Sequence, residues 1–90
     1  MKVVKVAYNN DSEDILNVFQ DLSEKIVLES FNYDHHKERK HALVLMTNYG
    51  AKKLPLIVFE DENLKGYAAI WNEDGQIVTE KLILKYLKME

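Results

Sequence analysis

Cysteine is absent from this chain of 90 residues. That removes disulfides, thiolate metal sites and cysteine nucleophiles together. Small secreted domains usually lean on disulfide staples, so the absence points to an intracellular, cytoplasmic protein. Proline occurs once and glycine three times, too sparsely for a flexible linker or a biased tract. No apolar run approaches the ~20 residues of a membrane-spanning helix. The opening Met1-Lys2-Val3-Val4-Lys5-Val6 has neither the apolar stretch nor the small-residue cleavage site of a secretory leader. A soluble protein that does not engage a membrane is expected. Cations are in deficit, 12 Lys and Arg against 15 Asp and Glu, for a formal net charge of −3. Phosphate binding needs several convergent cations. The one basic cluster, residues 37–40, contains Glu38 and follows Asp34, so no nucleic-acid partner is expected.

What is present is ordinary for a globular protein: 47% hydrophobic and 30% charged residues, spread without repeats. One domain over residues 1–90 is expected, with modest stability for its size. The abundance of Lys, Asn, Glu and Ile is the usage of an AT-rich bacterial or phage genome.

Val3, Val4, Val6 and Ala7 predict a strand over residues 2–8, apolar enough to be covered on both faces. Asn9-Asn10-Asp11-Ser12 is turn chemistry. Asp11 or Ser12 then caps a helix over about residues 12–24, with Glu13 and Asp14 in its first turn and Ile15, Leu16, Phe19 and Leu22 at helical spacing; Asn17, Gln20, Asp21 and Glu24 lie mostly on the other side. Alternation through Phe31 and Tyr33 predicts a second strand over residues 25–32. Ala42, Leu43, Leu45, Met46 and Tyr49 predict a helix over about residues 36–48, closed by Gly50 as a left-handed cap. Residues 56–59, Leu-Ile-Val-Phe, form the strongest strand and follow Pro55 directly. After a turn at residues 60–66, residues 67–71 return as a hairpin. A further turn at residues 72–75 leads to a last helix capped by Thr79, carrying Leu82, Ile83, Tyr86 and Leu87, with Lys85 and Lys88 near its end. The order is β-α-β-α-β-β-α. A βαβ unit needs parallel strands and the closing hairpin is antiparallel, which predicts an α/β fold with a mixed four-stranded sheet and helices on both faces.

The stretch Asn48-Tyr49-Gly50-Ala51-Lys52-Lys53-Leu54-Pro55-Leu56-Ile57-Val58-Phe59 resembles the segment of the thioredoxin/glutaredoxin family in which a Tyr-Gly helix end leads through a short loop to a cis-proline opening a strand. Residues 67–71 and 79–88 are similar to that family's closing hairpin strand and helix. The likeness is close over residues 42–90 and rests on pattern alone over residues 1–35. It implies a thioredoxin-like fold, a cis Leu54–Pro55 peptide, and a binding face at Leu54 and Pro55 where the family pairs its backbone with an extended peptide or glutathione. The family's CxxC or CxxS falls at the junction that here reads Tyr8-Asn9-Asn10-Asp11-Ser12-Glu13-Asp14. A thiolate is the reactive species of that chemistry, so a redox-inactive member is implied. Asp11, Glu13 and Asp14 also repel the anions a helix start otherwise attracts.

Other constellations carry less. Ser12 stands where some glutathione transferases of this fold place a hydroxyl, but capping accounts for it, and no base is positioned to activate it. His35, His36 and His41 with Asp34 lack the spacing of a metal site and read as a solvated helix start. The acidic residues 60–62 and 73–74 fall in expected turns and read as solvated surface. Trp71 and Tyr67 lie on a strand at a sheet edge, where Trp71 either packs in the core or joins a protein-binding patch; Tyr8, Tyr49 and Phe31 carry the same two readings. The expected function is a redox-inactive binding module without catalysis, cofactor or metal, holding an extended peptide or partner protein at Asn10, Asp11, Ser12, Lys53, Leu54 and Pro55. The alternatives are a homodimerising subunit of a larger assembly, joined through the strand at residues 67–71, and a glutathione-binding protein using Ser12.

Overall fold

The computed structural model describes residues 2–20, 22, 24–61, 67–73, 75 and 77–87, with the side chains of Asp61 and Tyr67 excepted. The expected turn residues 62–66, together with Asp21, Asp74 and Lys88, lie outside these, as does the Tyr67 side chain.

Among the described residues the chain runs β1 (Lys2–Tyr8), a 3-10 helix (Asn10–Leu16) passing into α1 (Asn17–Gln20), β2 (Ile26–Asn32), α2 (Arg39–Tyr49), β3 (Leu56–Asp61), β4 (Tyr67–Trp71) and α3 (Glu80–Leu87). The sheet order is β2-β1-β3-β4. β1 runs parallel to β2 and antiparallel to β3, and β3 pairs antiparallel with β4. The α/β class and the mixed four-stranded sheet therefore stand as expected. No helix among the described residues is long and apolar enough to cross a membrane.

Side chains alternate across each strand, and the core divides accordingly. Val4, Val6, Tyr8, Ile57, Phe59 and Ile70 meet Phe19 from α1 and Ile83 and Leu87 from α3 on one face. Ala7, Leu56 and Val58 meet Ala42 and Leu45 from α2 on the other. The Lys2 ammonium donates to the Leu87 carbonyl, tying the start of β1 to the end of α3.

Several boundaries differ from the sequence reading, and the first helix stops at Gln20 rather than near 24, with Leu22 and Glu24 in turns. The first helix starts at Asn10, earlier than expected, because Asn9 and not Asp11 or Ser12 is the N-cap. Ser12 is the third helical residue of a reciprocal capping box. This element is 3-10 over seven residues and α-helical over four; Asn, Asp and Ser compete locally for their own backbone and weaken an α-helix. The second helix starts at Arg39 rather than 36. Residues 36–38 are turns, and Glu38 at the N-cap makes no capping bond. Its carboxylate is directed elsewhere: one oxygen accepts the Asn32 N–H at 3.2 Å and the other lies 3.3 Å from His35 Nδ1. β3 runs on to Asp61, so Glu60 and Asp61 belong to a strand and not a turn.

Gly50 ends α2 at φ 70°, with its N–H returning to the carbonyls of Met46 and Thr47. Any side chain there is held in a left-handed conformation that L-residues rarely adopt. Thr79 Oγ1 accepts the Leu82 N–H at 3.2 Å and caps α3 as expected.

Candidate functional site at the carboxyl end of β1

Register fixes what lies together. Ala7 pairs with Leu56, and Leu56 pairs with Trp71. Tyr8 pairs with Asn32 on the other side. One end of the sheet therefore gathers the exits of β1, β2 and β4 around the entrance of β3. The two halves of the nominated site, residues 10–12 and 53–55, both sit at this end.

The first half is a network of short polar side chains. The Ser12 hydroxyl donates to Asn9 Oδ1 at 2.7 Å and accepts the Asn9 N–H at 3.0 Å, while the Ser12 N–H donates to Asn9 Oδ1 at 3.0 Å. Asp34 Oδ2 accepts the Asn10 N–H at 2.8 Å, and Asn32 Nδ2 donates to Asn10 Oδ1 at 3.1 Å. The Asp34 N–H in turn donates to Asn32 Oδ1 at 2.9 Å. Asn10 thus joins the exits of β1 and β2, Ser12 closes the turn on Asn9, and Asp11 is exposed beside them. Asn9, Asn32 and Asp34 are the members that sequence reasoning missed. Their signal was there as an Asn-Asn pair and an Asn-x-Asp after two strands, but turn residues carry no mark of which distant turn they join.

Electrostatics at this end are acidic. Asp11 and Glu13 occupy the first helical turn with no basic residue in the last. Burial raises the Tyr8 hydroxyl above its ordinary pKa, and the charges of Glu38 and Glu13 add to the shift. Arg39 is a cation beside the β2 exit: its Nε donates to the Tyr33 carbonyl at 2.9 Å and its guanidinium lies 5.2 Å above the Tyr33 ring.

In the second half, Lys53 is exposed, Leu54 half-buried and Pro55 buried. The Leu54–Pro55 peptide is cis, as the family resemblance implied. Being buried, Pro55 presents no exposed side chain. An open cleft of about 320 Å³ adjoins the loop, lined by Gly50, Lys52, Lys53, Trp71, Asn72 and Glu73. Trp71 is half-buried and packs against the α2-side core, short of the full burial that its core reading expected. A larger hollow of about 580 Å³ lies on the outer face of α2, and none of the nominated residues lines it.

The histidines are dispersed. His35 faces Glu38, and the His41 ring stacks on Phe31 with centroids 5.4 Å apart. Among the described residues no three His, Asp or Glu side chains converge as metal ligands would. Compared with known proteins, the chain matches no family model, and no curated protein matches it in sequence.

Proposed function

We propose that this chain is a redox-inactive, thioredoxin-like binding module that holds an extended segment of a partner protein along Lys53, Leu54 and Pro55. The observation that carries this reading is the position of that loop. It enters the central strand β3 at the sheet end where β1 gives onto its helix, and a cleft opens beside it. The element order and the division of helices between the two sheet faces support it as well. Backbone pairing supplies affinity without a reactive side chain, and flanking hollows supply selectivity.

Glutathione through Ser12 is the weaker reading. The Ser12 hydroxyl already donates and accepts within the capping box, and Asp11 and Glu13 face any incoming carboxylate.

The test is selection of extended peptides from a randomised library, followed by amide NMR mapping. Binders should shift residues 52–54 and 71–73, and Lys53→Ala with Leu54→Ala should weaken them about tenfold, or ~1.4 kcal/mol. Binders that map elsewhere and ignore this double variant overturn the reading.

A further inference from the structure

β2 is an edge strand, since its one partner among the described strands is β1. The direction of its free hydrogen-bonding groups follows from the bond that the Tyr33 N–H donates to the Tyr8 carbonyl. In a parallel pair, successive residues turn their N–H and C=O alternately toward and away from the neighbour. The amides of Val27, Glu29 and Phe31 therefore face β1, and those of Ile26, Leu28, Ser30 and Asn32 face outward. Two outward groups are already used. The Ile26 N–H donates to the Leu22 carbonyl at 3.2 Å, and the Asn32 N–H to Glu38 at 3.2 Å. Between them remain the N–H groups of Leu28 and Ser30 and the carbonyls of Ile26, Leu28 and Ser30. Two apolar side chains along this stretch are open, Val27 at 45% and Leu28 at 38% exposed. Proteins usually guard such an edge with lysine, proline or a bulge. β2 carries none of these, and its one charge is Glu29.

We infer that β2 pairs antiparallel with β2 of a second copy of this chain, with Leu28 on the two-fold axis. Register selects the occupant and the axis. A shift by one residue sets outward amides opposite inward ones and forms no ladder. An axis at Glu29 opposes two like charges, which is destabilising. An axis at Val27 forms two bonds only, from each Leu28 N–H to the partner's Ile26 carbonyl, because it sets Ser30 opposite Glu24, outside the strand. An axis nearer the strand end meets the Asn32 amide, which Glu38 holds. With Leu28 on the axis, each Leu28 N–H meets the other Leu28 carbonyl, and each Ser30 N–H meets the partner's Ile26 carbonyl. Only free groups are used. Leu28 packs on Leu28 across the axis. Lys25, exposed at the strand entrance, falls diagonal to the partner's Glu29, within reach of a long side chain. Both charge contacts repeat by symmetry, as an isologous interface requires. The two sheets become one. This surface is separate from the loop at residues 53–55, and it moves the expected homodimer contact from β4 to the opposite edge.

Light scattering tests the pairing. Mass should rise with concentration, half-dimer falling at roughly 0.1–1 mM for so small an interface. Leu28→Lys, and separately Ser30→Pro, which deletes an outward donor and leaves the β1 ladder intact, should each weaken association at least about tenfold, with circular dichroism unchanged. Because the chain has no cysteine, Leu28→Cys introduces a single thiol. Facing Cα atoms in a hydrogen-bonded antiparallel pair lie about 5.5 Å apart, inside disulfide range. Mild oxidation should cross-link it faster than Ala69→Cys on β4 or Ile77→Cys, whose native side chain is 72% exposed. A monomer at every concentration, a dimer indifferent to Leu28→Lys, or cross-linking no faster than at Ile77 overturns the inference.

Discussion

The two faces of the sheet are built to different standards. On the α1 and α3 side the buried set is large and branched or aromatic: Val4, Val6, Phe19, Ile26, Ile57, Phe59, Ile70, Ile83 and Leu87. On the α2 side three of the six buried residues are alanines, and the volume comes from a half-buried rim of Phe31, Tyr33, Met46, Tyr49, Leu54 and Trp71. Farther along the same face, beyond α2, Lys5 lies 3.3 Å from Glu60 and 4.0 Å from Glu29, in the half-exposed setting where such pairs contribute under about 1 kcal/mol. One face seals the fold. The other leaves amphipathic side chains at its border, and the loop at residues 53–55 and the open edge of β2 both adjoin it.

The sharpest way to break that contrast is to truncate one large residue on each face. Phe19→Ala should cost about 3–5 kcal/mol, since its ring is 1% exposed and lies in a core cluster between the paired strands and α3 that cannot close around the void. Leu45→Ala should cost about 2 kcal/mol, the lower end for such a change, because the rim beside it has room to relax. Urea denaturation measures both. Equal losses, or a larger loss at Leu45, would mean the two faces are equally rigid.

Strand periodicity made most of this legible beforehand. β1 and β4 fall at the expected residues, and the left-handed Gly50 and the Thr79 cap are where local chemistry placed them. The misplacements came from polar residues with two options. Ser12 satisfies a capping rule at either end of a capping box, and sequence does not say which end it occupies. Glu38 reads as a helix starter until tertiary structure gives its carboxylate the Asn32 amide. At the candidate site, Lys53, Leu54 and Pro55 were legible through a contiguous motif. The joining of Asn10 to Asn32 and Asp34 was not, because it spans more than twenty residues and depends on the parallel register. The free amides of β2 were equally hidden: their direction follows from a single cross-strand bond.

A smaller effect is expected where the sealed face meets the polar end of the sheet. Asn9→Ala removes the side chain that accepts both the Ser12 amide and the Ser12 hydroxyl. The loss should be about 1 kcal/mol. Amide exchange should localise it to residues 10–16, with β3 and α3 as protected as before. A change spread evenly over the chain would show that the capping box is part of the global fold and not a local device of the site.

The smallest effect is confined to alkaline pH. Tyr8 belongs to the sealed face, yet it lies at the strand end where Glu38 and Glu13 also act on it. Burial first, and those two charges next, hold its hydroxyl above the usual value of 10.0. The folded chain therefore keeps this proton after the unfolded chain has released it. Stability from this residue is complete below pH 10.0 and declines as pH rises beyond it, because only the unfolded state gains from ionisation. Tyr8→Phe has no proton to lose. Between the two proteins, the difference in melting temperature should be flat up to about pH 9 and then shift in favour of the variant. Every other titratable group is common to both proteins and cancels from the comparison. A difference that stays constant through pH 11, about one unit past the ordinary tyrosine value, would place the Tyr8 hydroxyl in water and move it from the sealed face to the open one.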